Sequence, residues 1–165
     1  APQAGLSGTL GGTQSASGSS ASSATAQPAP DFTVYDADGG EVTLASLMEA
    51  GKPAVLNFWA STCPPCRSEM PDFEEAYKER GDEIQFLMVN LTDGYQETME
   101  GATEYIQEQG FTFPVFYDTE SNAANTYATY SIPMTFFIDS EGYMVARATG
   151  ALDSATLKKG LDMIE

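Results

Sequence analysis

Cys63 and Cys66 are the whole thiol complement of this 165-residue chain. They sit in the segment NFWASTCPPCRSEMP (57–71), with a proline at each position between them. Three kinds of chemistry compete for such a pair. As a structural staple, the bridge would close a four-residue loop, worth only about 2 kcal/mol in the chain-entropy model before strain is subtracted. As a metal site the pair lacks ligands, because zinc takes four Cys, His or carboxylate ligands and the chain has no histidine. The same lack removes the usual base for Cys–His hydrolysis and leaves a Cys–Cys–His copper-delivery site incomplete. Redox chemistry is what remains. It requires two sulfurs able to bond reversibly, one of them made nucleophilic, and no metal or cofactor.

The elements around the pair supply that activation. AVLNFW (54–59) is a nearly continuous apolar run, as expected of a strand covered on both faces. Cys63 follows where this strand ends and a helix begins, the carboxyl edge at which open α/β sheets place their sites. A helix N-terminus offers unpaired N–H groups and the positive end of a dipole, which together stabilise a thiolate. Pro64 and Pro65 suit the first helical positions but remove two potential donors to the Cys63 sulfur, leaving the Cys66 N–H. The expected result is a less stabilised thiolate and a more reducing pair than one flanked by free N–H groups.

Met70, Phe73 and Tyr77 recur at helical spacing after the cysteines, with Pro71 as a kink and Gly81 as a terminator. FTVY (32–35) and EVTL (41–44) flank DADGG and predict an N-terminal hairpin. IQFLMVN (84–90) reads as a buried strand, and 95–109 as a helix with Met99, Ala102 and Ile106 inward, closed by Gly110. FPVFYD (113–118) reads as a short strand and SNAANTYA (121–128) as a short helix. MTFFID (134–139) and YMVARA (143–148) form a second hairpin about Ser140–Gly142, and Asp153 or Ser154 caps a last helix carrying Leu157, Leu161 and Ile164. Strands alternating with helices predict an α/β fold, a central mixed sheet with helices on both faces and the closing hairpin as an antiparallel edge.

Charge narrows the partners. Asp and Glu number 24 against 7 Lys and Arg, a net charge of −17. Nucleic acid and anionic lipid both select a basic footprint, so neither is an expected ligand. No run approaches the ~20 apolar residues of a membrane span. The first thirty residues carry no charge and no aromatic residue, and only Leu6 and Leu10 could bury a sizeable side chain. Such a segment cannot offset its ordering entropy, so residues 1–30 are expected to be a flexible linker or stalk. Residues 31–165 are expected to be the folded domain. An artificial linker or a glycosylated stalk has the same composition. The chain begins at Ala1 rather than Met, which reads as a processed or trimmed form.

FWASTCPPCRSEMP resembles the active-site segment of thioredoxin-fold thiol–disulfide oxidoreductases, in particular the extracytoplasmic TlpA/ResA branch with its F-W-x-x-W-C-x-P-C-x-x-E-x-P pattern. The similarity extends over about residues 31–165, through FTVYDADGGEVTLASL, GFTFPVFYD and SIPMTFFIDSEGYMV. It implies a thioredoxin-like three-layer fold with an N-terminal hairpin. It further implies that Cys63 attacks a client disulfide, that Cys66 resolves the mixed disulfide, and that the two cycle through a Cys63–Cys66 bond. Pro133 matches the cis-proline beside the dithiol. A client would then contact Pro133, Ile132, Pro64 and Trp59, although Trp59 also suits a core position at a strand end.

Glu69 lies one helical turn after Cys66, so its carboxylate can face the buried sulfur. A first-turn acid favoured by the helix dipole is the plain alternative; the resemblance makes Glu69 the proton acceptor and donor of the pair. Asn57 stands where cytoplasmic thioredoxins carry a buried Asp, and an amide cannot titrate. Departures from the pattern are Thr62 in place of an aromatic residue, Pro64, and a longer stretch 91–103 of unassigned role.

The resemblance implies an extracytoplasmic reductase in the bacterial cell envelope, monomeric and recharged by a membrane electron donor. Apocytochrome c and exported enzymes such as methionine sulfoxide reductase are the kinds of client it implies. Two other classes stay open: a peroxiredoxin-like peroxidase, whose T-x-x-C pattern Ala60 breaks, and a non-catalytic binding module.

Overall fold

The computed structural model describes residues 27–129 and 131–165. Among these residues eight strands form one sheet: β1 (Gln27–Pro28), β2 (Thr33–Tyr35), β3 (Glu41–Thr43), β4 (Ala54–Trp59), β5 (Gln85–Asn90), β6 (Val115–Tyr117), β7 (Met134–Ile138) and β8 (Tyr143–Thr149). Among the described residues five helices accompany them: α1 (Leu44–Met48), α2 (Pro64–Arg80), α3 (Met99–Gln109), α4 (Asn122–Thr126) and α5 (Ser154–Ile164). The strand order is β1-β8-β7-β4-β5-β6-β2-β3. β4, β5 and β6 run parallel, as the helical crossovers between them require, and β7 lies antiparallel to β4.

β4 occupies the centre with all six residues buried. Its alternate side chains feed two cores. Val55 and Trp59 join Cys66, Met70 and Phe73 of α2 and Leu157 and Leu161 of α5 on one face. Ala54, Leu56 and Phe58 join Leu44 of α1 and Ala123 of α4 on the other. The three layers and both hairpins match the fold expected from the sequence.

Two elements lie outside that expectation. The five-residue α1 follows β3 directly, nucleated by a capping box in which Thr43 and Ser46 bond each other's backbone N–H groups. Gln27 and Pro28 pair with Met144 and Tyr143, so the sheet begins ahead of Asp31 and the closing hairpin is not its edge. The expected linker up to residue 26 lies outside the described residues.

α5 reaches the sheet through Gly160, where a Cβ would overlap the ring of the fully buried Phe137. Gly160→Ala gains about 1 kcal/mol of helix propensity but overpacks this contact by about 1–3 kcal/mol. A net loss of about 1 kcal/mol is expected, read as a lower urea midpoint at unchanged m-value.

Candidate active site

β4 ends at Trp59, a turn follows, and Cys63 is the N-cap residue of α2 with extended backbone (φ −107°, ψ 107°). Its sulfur accepts the N–H of Cys66 at 3.3 Å. Pro64 and Pro65 fill the first two helical positions, so Cys66 supplies the backbone donor that the sequence left available. Cys63 and Cys66 are joined as a disulfide, with Cα atoms 5.3 Å apart. Cys66 is fully buried against Trp59 and Met70, whereas Cys63 is half-buried and Pro64 and Pro65 are exposed. The two sulfurs are therefore unequal, one reachable and one enclosed.

The loop before β7 comes up to the reachable sulfur. The Ile132–Pro133 peptide bond is cis, and the Ile132 carbonyl oxygen lies 4.0 Å from Cys63 Sγ. Ile132 is half-buried and Pro133 buried. Trp59 is fully buried and packs on Tyr105, ring centroids 6.1 Å apart, so it is part of the core and offers no surface to a client. Arg67 covers the outer side of Tyr105, its guanidinium 5.4 Å from the ring centre.

Glu69 is the group beneath. Three residues after Cys66 on the inner side of α2, its carboxylate is 1 % exposed. Oε1 accepts the Leu152 N–H at 3.0 Å and Oε2 accepts Asn57 Nδ2 at 2.8 Å. Burial pushes the carboxyl up to about 7, against the opposing pull of those two donors, and the nearby Asp72 charge adds to the rise. An acid that titrates near neutrality can both take and return a proton.

Asn57 therefore has a task. Its cross-strand neighbour on β7 is Thr135, and the same amide nitrogen donates to Thr135 Oγ1 at 3.1 Å. Asn57 Oδ1 has no partner among the described residues.

A sequence profile of the AhpC/TSA family matches residues 25–147. The chain belongs to the AhpC/TSA family. Within it, the chain is 34% identical over 140 residues to the thiol-disulfide oxidoreductase ResA of Geobacillus thermodenitrificans, covering 83% of this chain and 76% of that one. Among solved structures, a thioredoxin-family thiol:disulfide interchange protein from Chlorobium tepidum TLS superposes with a TM-score of 0.71 at 29% identity, over 84% of this chain and 96% of the other. The pneumococcal exposed lipoprotein thioredoxin of Streptococcus pneumoniae strain TIGR4 gives 0.66 at 30% identity, over 81% and 99%. This AhpC/TSA protein is thus a thioredoxin-fold member of the TlpA/ResA kind and a thiol–disulfide oxidoreductase.

In this AhpC/TSA chain the expected cysteines, Ile132 and Pro133 converge on one edge of the sheet, with Glu69 below. Thr135 and Leu152 complete the setting of Glu69 and were not among the expected residues. Thr135 stands within SIPMTFFID, where only the pairing register shows which strand residue it faces. Leu152 contributes a backbone N–H, which leaves no mark on side-chain identity.

Proposed function

We propose that the chain is a reductase of protein disulfides acting outside the cytoplasm, with Cys63 as nucleophile, Cys66 as resolving thiol and Glu69 as proton acceptor and donor. The Cys63 thiolate attacks a client disulfide, forming a Cys63–client bond and releasing one client thiolate. Glu69 takes the Cys66 proton, and the Cys66 thiolate attacks Cys63 Sγ. The second client sulfur leaves as a thiolate and is protonated, and the dithiol's two electrons have passed to the client. A client strand lies against the Ile132–Pro133 backbone, beside the exposed Pro64. A membrane electron donor restores the dithiol.

The observation that carries the direction is that, among the described residues, the Cys66 N–H is the one backbone donor on the Cys63 sulfur. A thiolate with few donors is a poorly stabilised product of reduction, which makes the pair a better reductant. Location rests on the relative described as an exposed lipoprotein. Among the described residues no helix is long and apolar enough to cross a membrane. Equilibration of the Cys63–Cys66 pair with a dithiol of known potential tests the reading. A value near that of thioredoxin, about −270 mV, or lower is expected, and one near −120 mV would make the protein an oxidase.

A further inference from the structure

The connection from β5 to α3, residues 91–98, takes no part in the chemistry above, yet it carries another buried carboxylate at the same edge of the sheet. Glu97 is 3 % exposed. Its Oε2 accepts the Ser61 N–H at 2.6 Å and Asn90 Nδ2 at 2.7 Å. Its Oε1 accepts the Ser61 hydroxyl at 2.9 Å, with the Thr62 hydroxyl at 3.5 Å. The loop is folded to deliver it: Asp93 Oδ1 accepts the N–H groups of Tyr95, Gln96 and Glu97, and the Gly94 N–H closes on the Glu97 carbonyl. Thr92 Oγ1 donates to Asn90 Oδ1 at 2.7 Å, which turns the amide nitrogen toward Glu97.

None of these partners is cationic. Among the described residues the ion pairs of Lys and Arg go to Glu74, Asp162 and Glu165. A carboxylate enclosed without a counter-ion is costly, and a glutamine would satisfy the same groups. Its oxygen in place of Oε2 keeps Ser61 N–H and Asn90 Nδ2, and its NH₂ in place of Oε1 donates to the two hydroxyls, which rotate to accept. The hydrogen bonds thus account for the clamp but not for the charge.

Ser61 and Thr62 are the residues that lead into Cys63. By chain reach through the Thr62 hydroxyl, the Glu97 charge lies within roughly 13 Å of the Cys63 sulfur. We propose that Glu97 is a positioning residue of the dithiol site: its carboxylate pins the Ser61–Thr62 turn that presents Cys63, and its charge opposes the Cys63 thiolate and keeps the pair reducing. The inference rests on the reductive reading above and deepens it. Among the described residues the other charged or titratable groups around Cys63 are Cys66 on α2, whose thiol in the reduced protein faces the Cys63 sulfur and opposes its ionisation when itself a thiolate; Arg67 on α2, which favours the thiolate; Glu69 on α2, which opposes it when ionised; and Tyr105 on α3, which holds Arg67.

Glu97→Gln in the full chain is the test, because it removes the charge and leaves the hydrogen bonds. A unit charge at that range in a medium of effective dielectric about 20 moves a titration by about one unit. The Cys63 thiolate pKa, followed by thiolate absorbance in the reduced protein, is expected to fall by about one unit. The equilibrium constant with glutathione should shift up to about tenfold toward the dithiol. A folded variant with both quantities unchanged would reduce Glu97 to a clamp and overturn the proposal. Should the variant fail to fold, carbon NMR of the Glu97 carboxyl in the reduced wild-type protein decides. An inflection at the Cys63 pKa is expected, and its absence overturns the proposal equally. A wild-type potential in the oxidase range would defeat the reductive reading while leaving the shift between variants intact.

Discussion

Glu69→Gln is expected to slow resolution of a mixed disulfide roughly a hundredfold at neutral pH, and to make the folded protein more stable above neutrality. Both effects have one cause. Burial holds the Glu69 carboxyl at about 7, above its ordinary 4.5. The folded state therefore binds this proton more tightly than the unfolded state. Below pH 4.5 both states hold it and no difference arises. Stability is lost as pH rises from 4.5 through 7, by about 3 kcal/mol once the folded carboxyl is ionised. Glutamine keeps an acceptor for the Leu152 N–H, and Asn57 can turn its unpartnered Oδ1 toward the new NH₂. It cannot take the Cys66 proton. Urea midpoints at pH 5 and pH 8 should fall for the wild type and stay nearer to each other for the variant. Stopped-flow rates should lose their inflection near pH 7. Superimposable pH–rate profiles would remove Glu69 from the chemistry.

Pro65→Ala should make the pair more oxidising by about 30–60 mV. An N-cap side chain accepts from the second or third helical N–H. For Cys63 the third is Cys66, bound at 3.3 Å, and the second is Pro65, which has none. Alanine supplies that donor. A hydrogen bond to a charged group contributes about 1.5–3 kcal/mol, and 1.4 kcal/mol corresponds to about 30 mV for a two-electron couple. Pro64 occupies the first position, outside the capping pair, so Pro64→Ala should move the potential less. The two prolines, equivalent when read from the sequence, are not equivalent in the helix. A Pro65→Ala potential that fell, or stayed where it was, would show that the missing donor is not what sets the pair.

What could be read in advance was whatever depends on side-chain pattern. AVLNFW, IQFLMVN and MTFFID are central strands because their apolar residues are buried on both faces, and burial on that scale leaves a continuous run. The dithiol was legible because two sulfurs at that spacing, with no histidine, leave little else to do. α1 is too short to show a period, and the described residues of β1, Gln27 and Pro28, are exposed and carry no apolar alternation. Glu97 is one of three acids in LTDGYQETMEGAT, and nothing in a polar loop marks which carboxylate will be enclosed. Asn57 read as a position that had lost its function, and only its distance to Glu69 shows it as that residue's partner.

The outermost strands have a consequence for self-association. A sheet ending in long, straight strands presents rows of free N–H and C=O groups on which other chains can polymerise. Among the described residues one margin carries Pro28, which cannot donate, and the other is a three-residue strand that begins with exposed Glu41. The proline breaks the donor row of the first, and the second is too short to template a ladder. Margins of this kind keep copies of the chain from pairing edge to edge into a continuous sheet.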